Sequence, residues 1–145
     1  MLTAISPYLL VVALGWIVAQ GLKYVFAVIK TKRIGNFRQL YTSGNMPSSH
    51  SACVTGLATV VGLIDGFDSA VFGITFLFAS IVMYDAVMVR RSSGEQGIAI
   101  QELIKLGKAK IVLPRAAKGH TPLEVVAGAT LGIILGCLVF LLYSV

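Results

Sequence analysis

Apolar residues run almost unbroken through four stretches, about residues 7–29, 49–64, 69–89 and 122–144, and polar residues gather between them. A helix needs about 20 apolar residues to cross roughly 30 Å of hydrocarbon, so the pattern predicts four membrane spans. The second stretch is short and opens on the polar "PSSH" (47–50), which predicts a first turn facing a protein cavity rather than lipid. "DGFDS" (65–69) reads as a tight turn joining spans two and three. Farther on, "EQGIAIQELIKLGKAK" (95–110) sets Ile98, Leu103, Ile104 and Leu106 among Lys and Glu. That spacing fits an amphipathic helix lying at the membrane interface, and it fits a solvated connector helix equally. The expected fold is all-α: an integral membrane four-helix bundle, one domain over residues 1–145, with an interfacial helix between spans three and four.

Composition supports a membrane protein, since 57% of residues are hydrophobic and 12% charged, against roughly 25% charged in soluble domains. The first apolar run is too long for the core of a cleavable signal. Cys53 and Cys137 lie inside apolar runs, which argues against a disulfide framework.

Charge adds direction. All 12 Lys and Arg fall in three clusters, Lys23 to Arg38, Arg90–Arg91 and Lys105 to Lys118. With four spans, every cluster lies on one side and both termini on the other. The positive-inside rule makes the basic side cytoplasmic and puts both termini outside, in a multi-pass cell-membrane protein. So apolar a chain is not a nucleic-acid binder; its expected partners are membrane lipids and an anionic ligand. Gly128, Gly132 and Gly136 give the fourth span a smooth face for close packing, either inside the chain or in a homo-oligomer.

Two histidines remain to be explained. In "GHTPLE" (119–124), Thr121, Pro122 and Glu124 form the start signal of a helix, with Glu124 closing a capping box. Glu124 is also close enough to hold one nitrogen of His120, leaving the other free as nucleophile or base. In "MPSSH", Ser48 suits an N-cap, and the hydroxyls and free N–H groups of a helix start attract anions. His50 there is either incidental or part of that anion site. The chain has only these two histidines, and both open apolar helices on the basic side. Two imidazoles facing one phosphate can divide phosphoryl transfer between attack and leaving-group protonation, with cations on the remaining oxygens. No His, Cys, Asp or Glu cluster has metal-ligand spacing, so neither metal nor cofactor is expected.

"PSSH" resembles the Pro-Ser-Gly-His second motif of the type 2 phosphatidic acid phosphatase and vanadium haloperoxidase superfamily. "GHTPLEVVAGATLG" (119–132) resembles its third motif, and with "YDAVMVRR" (84–91) the likeness is closest to a short, divergent branch. The resemblance implies that His120 is a nucleophile forming a phosphohistidine, oriented by Glu124, and that His50 protonates the leaving alcohol. It also implies that Ser48 and Ser49 cradle the phosphate and that Arg90 or Arg91 supplies the motif's arginine, with Arg115 the other candidate. The family's first motif, a Lys and then an Arg-Pro, has no match; Lys23, Lys30 and Arg38 are the substitutes, Lys23 and Lys30 lying two helical turns apart. Glu124 stands where the family has Asp, and Ser49 where it has Gly. Asp85, charged near a membrane helix end, pairs with Arg90 or Lys23 or serves the reaction as an accessory.

The expected function is a membrane-embedded lipid phosphate phosphatase. A cytoplasmic site favours phosphatidylglycerophosphate or phosphatidic acid over an isoprenyl (pyro)phosphate. The alternative is a non-catalytic phospholipid-binding or translocating protein on the same scaffold.

Overall fold

The computed structural model describes residues 5–32, 46–108, 111–114, 116 and 119–144. Arg38, Arg115 and Lys118 lie outside the described residues. Those described form helices and connections only: α1 (Pro7–Thr31), α2 (Ser49–Asp65), α3 (Ala70–Tyr84), a π turn (Asp85–Val89), α4 (Arg90–Leu106) and α5 (Pro122–Tyr143).

Each helix start follows from its local sequence. Pro7 and Pro122 sit in the first turn, where a missing N–H costs nothing. Ser48 and Ser69 cap α2 and α3 through their hydroxyls, which accept the N–H of Ser51 and Phe72. Thr121 and Glu124 make the full capping box. Gly66, at φ +94°, takes the left-handed backbone that the turn from α2 to α3 needs.

α2 is the central helix. It packs most extensively on α5, then on α1 and α3. The face toward α5 is built from small residues: a Cβ at Gly128 would overlap the Ser48 carbonyl, one at Gly132 the Thr55 hydroxyl, and one at Gly136 the Thr59 side chain. The glycine face of α5 is therefore occupied within the chain, and self-association would need another surface. A small apolar cluster, Val11, Val60 and Val139, lies toward the opposite end of the bundle from "PSSH". At that end the Tyr8 hydroxyl donates to Asp65 Oδ2 at 2.8 Å and the Tyr143 hydroxyl to the Ile5 carbonyl at 2.6 Å. The helix starts bearing His50 and His120 share the opposite end.

Large apolar side chains cover the outside. Trp16, Phe76, Phe78 and Leu141 are all more than half exposed, as expected of a lipid-facing surface. Among the described residues three helices are long and apolar enough to span a membrane: Pro7–Thr31, Ala70–Leu106 and Pro122–Tyr143. α2, with 17 residues, reaches only about 25 Å and is held among the others. The helix expected at 95–110 is not a separate element: α3, the π turn and α4 form one continuous 37-residue helix. At roughly 55 Å it outruns the hydrocarbon. Nothing in "YDAVMVRRSSGEQ" breaks a helix strongly enough to end it at Val89.

Candidate active site

His120 sits in the last residues of the connector before α5 and is 4% exposed. Its Nδ1 lies 3.0 Å from Glu124 Oε2. The same oxygen accepts the Thr121 backbone N–H at 3.1 Å, and the Glu124 N–H returns to the Thr121 hydroxyl at 3.3 Å. Glu124 thus both caps the helix and holds the imidazole. A carboxylate on Nδ1 keeps the proton there and leaves the Nε2 lone pair free. Burial pushes the His120 imidazole below its ordinary range; the hydrogen bond to Glu124 opposes that shift, and nearby Lys23 adds to it.

The two motifs are joined through their backbones. The N–H of Ser48 donates to the Glu124 carbonyl at 3.0 Å, which sets the start of α2 against the first turn of α5. The Ser48 hydroxyl is fully buried and accepts from the N–H and hydroxyl of Ser51. Ser48 accordingly works as a cap, and its contribution to an anion site is the helix start that it holds. Ser49, 3% exposed, turns its hydroxyl toward Lys23 Nζ at a long 3.5 Å.

Lys23 is the cation that the fold brings inward. It is 5% exposed, in the C-terminal half of α1, and lies within electrostatic reach of Glu124, His120 and His50. A snorkelling lysine would instead carry its ammonium out to water. Lys30, two turns on, is exposed and has no polar partner among the described residues.

His50, exposed on the first turn of α2, has Arg90, His120, Lys23 and Asp85 within electrostatic reach. Of the two arginines, Arg90 also reaches His120, and its Nε bonds Asp85 Oδ2 at 2.7 Å. Arg91 pairs with Glu95 at 3.1 Å and borders a cavity of about 410 Å³ between α4 and the returning connector, which His120, Thr121 and Ile98 also line. The structure therefore gathers His120, Glu124, His50, Ser49, Lys23, Arg90 and Asp85 at one end of the bundle, with Arg91 at the margin and Lys30 outside. Among the described residues no group of three or more His, Cys, Asp or Glu could hold a metal ion.

Two supports of this site are not apparent from the sequence. The Ala86 carbonyl accepts the His120 backbone N–H at 3.1 Å. Gly119 lies so close to α4 that a Cβ there would overlap the Arg91 backbone. A glycine beside a candidate histidine was the one available signal.

A family profile described as "Divergent PAP2 family" matches residues 5–135, a span that includes both histidine motifs. An uncharacterized membrane protein of Bacillus subtilis (strain 168), YuiD, is 38% identical to this chain over 82% of it and 84% of its own length. No solved structure matches the chain.

Proposed function

From the premise that this chain belongs to the Divergent PAP2 family of membrane proteins, we propose that it is a lipid phosphate phosphatase working through a phosphohistidine. The observation that carries this reading is the buried His120 held through Nδ1 by Glu124, beside the buried Lys23, which no carboxylate among the described residues contacts directly. In the proposed reaction Nε2 of His120 attacks phosphorus, and the P–O bond to the lipid alcohol breaks in line. His50 gives its proton to the departing oxygen. Lys23, Arg90 and the free N–H groups at the start of α2 hold the other phosphoryl oxygens. Water then attacks the phosphohistidine as His50 takes its proton, which releases inorganic phosphate and restores the neutral imidazole.

The substrate is a lipid phosphate whose headgroup approaches from the basic end. We assign that end to the cytoplasm, which favours phosphatidylglycerophosphate or phosphatidic acid over an isoprenyl (pyro)phosphate. A non-catalytic phospholipid binder or translocator is the second reading. Its support is the hydroxyl of Ser49 on Lys23, at a position where the broader family's motif has glycine.

Rapid quenching with a ³²P-labelled lipid phosphate tests the proposal. The expected product is a protein-bound label that is stable to alkali, labile to acid and absent from His120→Ala. A label that survives in His120→Ala would contradict it.

A further inference from the structure

The helix running from α3 into α4 changes its hydrogen-bond step at Asp85–Val89. In an α-helix the N–H of Arg90 would bond the carbonyl four residues back, that of Ala86. Here it bonds Asp85, five back. This is a single π turn, a feature that often marks functional sites. The bypassed carbonyl of Ala86, a residue 3% exposed, receives the backbone N–H of His120 at 3.1 Å. The approach is close enough that Gly119, next to His120, has no room for a side chain against Arg91.

The same turn bears on the rest of the site. Its first residue, Asp85, holds Arg90, the residue that follows it, through Oδ2 to Nε at 2.7 Å. His120 lies at the end of a non-helical connector, so a bond to its ring alone would orient the imidazole without fixing where it sits. Nucleophile placement is demanding: an error of about 1 Å costs on the order of 10²-fold in rate.

We infer that the π turn is a positioning device for His120. The carbonyl that it frees anchors the His120 backbone while Glu124 anchors the ring, and its Asp85 holds Arg90 within electrostatic reach of both histidines. Ala86 acts through its carbonyl, Gly119 through its lack of a side chain, and Asp85 through Arg90; none of them touches phosphorus. This inference rests on the proposed use of His120.

Deleting Val87 tests it. One residue fewer restores the α step, so that the Arg91 N–H closes on the Ala86 carbonyl and displaces His120. Two quantities are read: hydrogen exchange at the His120 amide, without substrate, and aryl phosphate turnover. The expected result is exchange at least about tenfold faster, with kcat down on the order of 10²-fold, a larger change than any rise in KM from the shifted Arg90. Unchanged exchange or unchanged kcat would overturn the inference, as would a loss carried by KM alone. Should the shortened chain not fold, exchange in the intact protein decides: a His120 amide as slow as the interior of α5 supports the anchor, and one as fast as an exposed loop refutes it. Absence of turnover in the wild type would count against the phosphatase reading alone, because the exchange is measured without substrate.

Discussion

Glu124 Oε2 lies 3.0 Å from His120 Nδ1 while accepting the N–H of Thr121 at 3.1 Å. One oxygen therefore ties the rotamer of the imidazole to the start of α5. Glu124→Gln separates the two duties, because glutamine also completes a capping box. Thermal stability in detergent should change by no more than about 1 kcal/mol. Turnover should fall by roughly 10²–10⁴-fold, the scale seen when a histidine loses the carboxylate that fixes its tautomer. The pH profile gives the sign. Burial lowers the His120 pKa and Glu124 raises it. The acid limb of kcat/KM in the wild type should therefore lie below the ordinary 6.5, and it should move lower still in Glu124→Gln. His120 also contributes to stability against pH: as pH falls below 6.5 the unfolded chain takes up the proton first, so that part of the stability is lost between 6.5 and the lower folded value.

Lys23 is buried, with no carboxylate among the described residues in direct contact. Lys23→Met, similar in length and uncharged, should leave the fold as stable or more stable, because a buried charge is costly. Vanadate and inorganic phosphate should bind about 10–100-fold more weakly, the loss expected for a charge-assisted contact. A lysine that only packs would leave anion affinity unchanged in the same titration.

At Gly128 a Cβ would overlap the Ser48 carbonyl, whereas at Gly73 it would meet nothing within 4 Å. Gly128→Ala should cost roughly 1–3 kcal/mol and lower activity together with stability, since α5 would be pushed off the start of α2. Gly73→Ala should be neutral or slightly stabilising. Thermal melts of the two variants side by side check the contrast.

Beyond Gln96, α4 and the connector expose Leu103, Leu106, Ile111 and Val112, the last at 96%, close to Lys105 and Lys108. This tip suits the surface of an anionic bilayer. With Trp16 replaced by Phe, Val112→Trp should emit at shorter wavelength in vesicles containing phosphatidylglycerol than in zwitterionic ones. Equal, water-like emission in both would place the tip in solvent.

Much of this molecule is legible in its sequence because length and apolarity alone decide it. The limits of α1, α2 and α5 fall within two or three residues of the apolar runs, and Thr121, Pro122 and Glu124 announce the start of α5. Glu124 lies close enough to His120 in sequence for their contact to be anticipated. Lys23 stood out as a charge within an apolar run. The junction of α3 and α4 was not legible, since "VRRSSG" looked like the end of a span and no local residue signals a π turn. Its hydrogen bond to His120 joins residues 34 apart in sequence, and propensity carries no information at that range. For the same reason the sequence left Arg90 and Arg91 equivalent, whereas the helix turns one toward the histidines and the other toward Glu95.

Whether His120 turns over a lipid phosphate is decided by phosphate release. Purified protein in detergent would be given phosphatidylglycerophosphate, phosphatidic acid and an isoprenyl pyrophosphate, wild type beside His120→Ala. The expected result is release from at least one of them by the wild type and loss of that release in the variant, with vanadate inhibiting the wild type. Equal release from both proteins, or background release from both, would contradict it.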